Sequence, residues 1–155
     1  MLTAAQVKAA HGSFTAYAQI MIPLFNYEFA WNFHHLAICD EFERALNGEY
    51  STLLMSIAPQ SGKTCLTNLF ISYYIAKYPK RSVLYCTYNS DRAEAYTKNE
   101  LMGTMFSDNY RQLFPHIKFK FDLDEEENTT KNKLKRKKST LTDRSFSILV
   151  ADKDG

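Results

Sequence analysis

The chain has 155 residues, 45% of them hydrophobic and 14% aromatic, which is enough to fill the core of one globular domain. The formal net charge of +2 at pH 7 is too small to indicate a nucleic-acid partner by itself. No apolar run approaches the roughly 18 residues of a membrane span, so the sequence predicts a soluble protein of the cytoplasm.

Helical and strand patterns alternate along the chain. Apolar spacing predicts helices over residues 4–20, with a weak point at Gly12, and over 36–46, 63–77 and 91–102. Short apolar runs predict strands over residues 52–57, 82–86 and 145–150. The first two strands and the helix between them form a β-α-β unit, in which the strands are almost always parallel. The predicted fold class is therefore α/β, with an incomplete parallel sheet flanked by helices that pack on it.

A short loop joins the predicted strand over residues 52–57 to the helix over 63–77. Its residues are Pro59, Gln60, Ser61 and Gly62, followed by Lys63 and Thr64 at the helix start. Backbone N–H groups and the helix dipole favour an anion there, so the loop is predicted to bind the phosphates of ATP or GTP. Lys63 would reach the β- and γ-phosphates, and the Thr64 hydroxyl would ligate Mg²⁺. This pattern is typical of a P-loop NTPase, although Ile57 replaces a glycine of the strict motif and an ordinary loop stays the alternative.

Two blocks of opposite charge follow one another in the last third of the chain. Acidic residues dominate positions 122–127, and basic residues dominate positions 131–138. Charge of this density cannot be buried, so residues 122–138 are predicted to form a mobile charged insertion. Two interpretations stay open: a solvated loop that partly neutralises itself, or a basic arm that contacts DNA phosphates.

Several segments, taken in order, resemble the start of the ATPase domain of tailed-phage terminase large subunits. The resemblance begins with an aromatic His-His segment and a Gly-Glu pair, and it continues through a glycine-poor Gly-Lys-Thr loop. Two later features also resemble the family: a strand followed by a polar loop and a helix, and a Leu-Phe-Pro tripeptide. In sequence order the matching segments are residues 29–40, 46–50, 58–64, 78–79, 83–90, 93–101 and 113–115. The family's loop commonly lacks the first glycine, as this one does.

This resemblance implies a DNA-packaging motor, in which a homo-oligomeric ring of subunits hydrolyses ATP to drive double-stranded DNA into a capsid. It implies the portal protein and the small terminase subunit as partners, in the cytoplasm of a bacterial host. Residues 1–155 would be the N-terminal portion of the ATPase domain, without a recognisable nuclease domain. The chain alone is expected to be inactive, since the catalytic carboxylates are not identified and Asp152 is a weak candidate Mg²⁺ ligand.

The resemblance also implies roles for single residues. Lys63 and Thr64 carry over as the phosphate and Mg²⁺ contacts, and His34 and His35 as part of the adenine side of the site. Either Trp31 or Phe33 would stack on the base. Core packing is the alternative role for both of these residues and for the two histidines. Two other functions stay open: another P-loop NTPase, such as a helicase-like ATPase or a small kinase, and a non-catalytic fragment that keeps the fold.

Overall fold

The structure is a computed structural model of the chain, and it describes residues 1–25, 29–87, 89–119 and 148–150. The chain divides into two compact units, Met1–Phe114 and Pro115–Gly155. The predicted charged insertion over residues 122–138 and the candidate ligand Asp152 lie outside the described residues. None of the described helices is long and apolar enough to cross a membrane.

Helices make up most of the first unit. They are α1 (Ala4–Gly12), α2 (Phe14–Met21), α3 (Phe33–Leu46), α4 (Lys63–Lys77), α5 (Ser90–Ala95), α6 (Met102–Phe106) and α7 (Asp108–Leu113). A 3₁₀ turn, Ile22–Phe25, follows α2, and a π-helix, Tyr96–Leu101, joins α5 to α6. The helices predicted over residues 4–20, 36–46 and 63–77 are confirmed, and the one over 91–102 is interrupted by the π-helix.

The break between α1 and α2 lies at the weak point that the sequence indicated. Gly12 ends α1, and Ser13 is the N-cap of α2, where its side chain accepts a hydrogen bond from the Ala16 N–H. Ser13 also donates a hydrogen bond to the carboxylate of Glu43 on α3 at 2.6 Å. The polar cap therefore fixes the start of α2 and joins it to α3.

Helix α4 lies at the centre of the first unit, in contact with α2, α3 and α6. The phenol of Tyr17 on α2 is hydrogen-bonded to the Ser72 hydroxyl of α4 at 2.7 Å, and the Tyr110 hydroxyl of α7 donates to the Ser72 carbonyl at 2.9 Å. The rings of Phe42 on α3 and Phe70 on α4 stack at 4.3 Å. Burial of these aromatic side chains supplies the main driving force for packing the helices together.

The predicted α/β fold with a parallel sheet is wrong for the described residues. Residues 52–57 and 82–86 form no strand, and Leu54 and Leu84 within them are 93% and 88% exposed. Strand pairing in the described part of the chain is confined to β1 (Ile117–Phe119) and β2 (Ile148–Val150) of the second unit, which are antiparallel with Ile117 opposite Val150. The predicted strand over residues 145–150 is thus confirmed at 148–150, and its other residues lie outside the described chain.

The physical reason for this error is that an apolar run becomes a strand only where neighbouring strands accept and donate its backbone hydrogen bonds. Apolar patterning does not specify that neighbour. The helices predicted to cover a sheet cover one another instead, with α2 and α3 packed on α4. The first unit is therefore a helical assembly built around α4.

Candidate functional site

The loop before α4 makes a tight turn that leaves the start of the helix uncapped by any side chain. Gln60 and Gly62 both have left-handed backbone conformations, with φ of 60° and 74°. Gly62 is the N-cap residue of α4 and forms no side-chain cap. Because the first N–H groups of a helix have no acceptor within the helix, this end of α4 can bind an anion.

Two rings lie directly against Gly62. A Cβ atom at this position would come within 2.9 Å of Phe29 Cε2 and 3.1 Å of His35 Nε2. The turn therefore needs glycine for two reasons, its positive φ and the lack of space for a side chain. The close contact also ties the loop to the segment that precedes α3.

The Lys63 ammonium folds back over the loop that precedes it. It donates hydrogen bonds to the carbonyl oxygens of Ile57 at 2.5 Å and Ala58 at 2.9 Å. The Ser61 hydroxyl donates to the same Ala58 carbonyl at 2.7 Å. The ion pairs of the described residues include those of Arg44 with Glu41 and Glu49, and no salt bridge to Lys63 is found in this part of the chain. Its positive charge remains available to an anion.

His35 connects the start of α3 to the loop. Its Nδ1 accepts a hydrogen bond from the Asn32 N–H at 3.1 Å, as the third helical residue of a capping box. Since Nδ1 is an acceptor, the neutral ring carries its proton on Nε2. Burial lowers the pKa of His35, the neighbouring His34 lowers it further, and a hydrogen bond to the Ser61 backbone opposes both. His35 is therefore held as a neutral ring beneath the loop.

His35 belongs to an aromatic cluster that also contains Phe29, Trp31, Phe33 and His34. Ring centroids lie 4.4 Å apart for Phe29 and His35, 5.3 Å for Phe29 and Trp31, and 3.9 Å for His34 and His35. The Phe33 side chain is 79% exposed. Most of this cluster packs ring on ring beside the loop, while Phe33 extends into solvent.

A cavity of about 570 Å³ opens at the N-terminus of α4, within the usual range for small-molecule sites. It brings together six of the residues that the sequence indicated, namely His35, Gln60, Ser61, Gly62, Lys63 and Thr64. The other three, Trp31, His34 and Pro59, are not among the described residues that line it. The structure thus collects most of the predicted loop and one ring of the aromatic cluster at a single cavity.

Six further described residues of the cavity wall were missed by sequence reasoning, namely Phe29, Ala30, Cys65, Asn68, Arg92 and Glu100. Phe29 contacts the turn, Asn68 lies one helical turn after Thr64, Arg92 comes from α5 and Glu100 from the π-helix. The spacing of four residues between Thr64 and Asn68 places them on one face of α4, which is a signal that the sequence contains. Arg92 and Glu100 reach the cavity through the packing of distant segments, which no local pattern indicates.

The cavity wall carries oxygen groups suited to a nucleotide-bound Mg²⁺. Thr64 supplies a hydroxyl, Asn68 an amide oxygen and Glu100 a carboxylate, which are the hard ligands that Mg²⁺ prefers. The described residues contain no group of three or more His, Cys, Asp or Glu side chains that could hold a metal alone. Mg²⁺ commonly binds through one or two protein oxygens together with phosphates and water, and the residues present fit that mode.

Comparison with known proteins gave no match: no protein family, no curated protein and no solved structure is significantly similar to this chain. A functional assignment therefore depends on the geometry of the cavity and on the residues that carry the resemblance described above.

Proposed function

We propose that this chain binds the phosphates of a nucleoside triphosphate, ATP, in the cavity at the N-terminus of α4. The observation that carries the proposal is the combination of an uncapped helix start, a glycine turn and an unneutralised lysine in one cavity. Each of these features favours a phosphate group. Phosphate binding of this kind requires only the loop and the start of α4, and it does not require a parallel sheet.

On binding, the Lys63 ammonium exchanges the carbonyls of Ile57 and Ala58 for phosphate oxygens. The backbone N–H groups of the first turn of α4 face the same phosphates, and Arg92 supplies a second positive charge in the cavity wall. The Thr64 hydroxyl offers an oxygen to Mg²⁺. When bound, Mg²⁺ neutralises part of the phosphate charge.

The wider function that we propose is that of the ATPase part of a viral DNA-packaging motor. The order of matching segments around the loop supports it. Double-stranded DNA, a portal protein and a small terminase subunit are the proposed partners, and the working form is a ring of identical chains. A helicase-like ATPase is the alternative, and it predicts ATP turnover that depends on single-stranded nucleic acid. A non-catalytic fragment predicts nucleotide binding without turnover under any condition.

The central test is the substitution Lys63→Ala, with ATP affinity measured by calorimetry in the presence of Mg²⁺. Loss of a charge-assisted contact costs about 1.5 to 3 kcal/mol, so we expect affinity to fall roughly 10- to 150-fold. Lys8→Ala is the matched control, because Lys8 is an exposed lysine on α1 and does not line the cavity. We expect it to leave ATP affinity unchanged.

Thermal unfolding of both variants, compared with the parent, shows whether either substitution disturbs the fold. Saturating ATP should raise the melting temperature of the parent and of Lys8→Ala, because a ligand that binds only the folded state stabilises it. Equal ATP affinity in the parent and in a folded Lys63→Ala variant would contradict the phosphate-binding assignment.

A further inference from the structure

Asn68 is a polar side chain buried at the wall of the cavity with half of its amide unpaired. It is 2% exposed, and its Nδ2 donates to the Thr104 hydroxyl at 3.1 Å. Thr104 in turn donates its single hydroxyl proton to the Glu100 carbonyl at 2.8 Å. Turning the amide over would place oxygen against oxygen with no proton between them, so this network fixes the orientation of Asn68.

The remaining atom, Asn68 Oδ1, is buried and has no hydrogen-bond partner. A buried acceptor without a donor is destabilising, and such groups are rare in folded proteins. The residue lines the cavity one turn below Thr64. An unpaired acceptor thus belongs to a residue of the cavity wall, where a donor brought by a ligand would satisfy it.

Glu100 is the second acceptor at this wall and the one carboxylate among the described residues that line the cavity. It belongs to the π-helix Tyr96–Leu101, a rare form of helix that occurs frequently at functional sites. Its side chain is exposed to solvent. The hydrogen bond between Thr104 and the Glu100 carbonyl links this carboxylate-bearing turn to Asn68.

A carboxylate in a phosphate-binding cavity repels the phosphates unless a cation lies between them. Hydrated Mg²⁺ provides that cation, and its bound waters present O–H donors. The Glu100 carboxylate and the Asn68 amide oxygen both accept hydrogen bonds, and Thr64 beside them offers its own oxygen. The chemistry of this wall suits a hydrated divalent cation better than a bare phosphate.

We propose that Asn68 and Glu100 form the cation side of the cavity and make the site select Mg²⁺-bound nucleoside triphosphate over the free form. This proposal rests on the proposed function, since it assigns the metal-facing wall of the same site. Lys63 and Arg92 supply the phosphate side. Asn68 and Glu100 act on the waters around the cation, and they are positioning residues.

The test compares ATP affinity in Mg²⁺ with ATP affinity in EDTA, for the full chain and for Glu100→Gln. Without the carboxylate charge, binding of free ATP should strengthen and binding of Mg²⁺-ATP should not. We expect the ratio of the two affinities to fall roughly fivefold or more. Asp91→Asn removes the same charge from an exposed residue of α5 that does not line the cavity, and it should leave the ratio unchanged.

Asn68→Asp provides a second measurement in the opposite direction. A carboxylate in place of the amide adds negative charge at the same wall, so a folded variant should bind free ATP more weakly and depend more strongly on Mg²⁺. An unchanged ratio in Glu100→Gln overturns the assignment of the cation side, even where the parent binds ATP. Failure of the parent to bind ATP in either condition overturns the proposed function instead.

Discussion

At the scale of single residues, Gly62 determines whether the turn before α4 can form. Its positive φ and the two rings beside it both exclude a side chain. Gly48 provides a natural comparison, because it also has a positive φ of 78° but has open space around its Cβ position. The pair separates the backbone effect from the effect of the neighbouring rings.

We expect Gly62→Ala to lower the free energy of unfolding by more than Gly48→Ala does. A left-handed backbone costs an alanine about 1 to 2 kcal/mol, and this cost is common to both variants. Gly62→Ala adds the overlap with Phe29 and His35. Urea unfolding of the two variants and the parent measures the difference. Equal losses would show that the rings move aside without cost.

At the scale of elements, the start of α3 and the turn before α4 are joined through His35. The ring accepts a hydrogen bond from the capping residue of α3 and contacts the backbone of the turn through its other nitrogen. Burial and His34 lower the pKa of His35, so the folded chain favours the neutral ring. Protonation of His35 therefore destabilises the contact between the start of α3 and the turn before α4.

The lowered pKa predicts a stability that falls on acidification. Above the unfolded-state value of about 6.5, the ring is neutral in both states and folding is independent of its charge. Below that value the unfolded chain binds the proton first, so the free energy of unfolding decreases until the folded-state pKa is passed. Urea unfolding at pH 7.5 and at pH 5.5 should show this loss for the parent.

His35→Gln is the matched variant for this measurement. Glutamine at the third position of a helix also accepts the hydrogen bond of a capping box, so the start of α3 should be kept. Because glutamine does not titrate, the variant should lose less stability than the parent between pH 7.5 and 5.5. Parallel losses in both chains would assign the pH dependence to other groups.

Sequence reasoning succeeded for elements whose signals are local. The bounds of α4 follow from its apolar spacing and from the Gly-Lys-Thr start, and the break at Ser13 follows the weak helix former Gly12. It was wrong for the parallel sheet, because an apolar run does not identify its pairing partner. The π-helix that carries Glu100 lies within a segment predicted as an ordinary helix, since hydrophobic spacing does not distinguish the two.

At the scale of the whole molecule, DNA would contact an assembled ring of chains in the proposed motor, rather than a single chain. The basic run over residues 131–138, outside the described residues, is compensated in the sequence by the acidic run over 122–127. A solvated, self-neutralised loop and a DNA-binding arm differ in their response to salt.

We expect that replacing Lys133, Lys135, Arg136 and Lys137 by glutamine leaves the salt dependence of duplex DNA binding unchanged in the isolated chain. Each lost phosphate contact lowers the slope of log K against log salt by roughly 0.9. Filter binding over a range of salt concentrations measures this slope for the parent and the variant. A change of about two or more would make the basic run a DNA-contacting element.

The sequence by itself determined where the main helices lie and which loop precedes α4, because hydrophobic spacing and turn residues act over a few neighbouring positions. Only the tertiary structure decided that helices, not a sheet, surround α4 in the described chain. It also brought Arg92 and Glu100 to a cavity lined by Lys63, and His35 to the underside of Gly62. The residues brought together in this way lie 27 to 37 positions apart in the sequence, and their proximity depends on how whole elements pack, which local patterns do not encode.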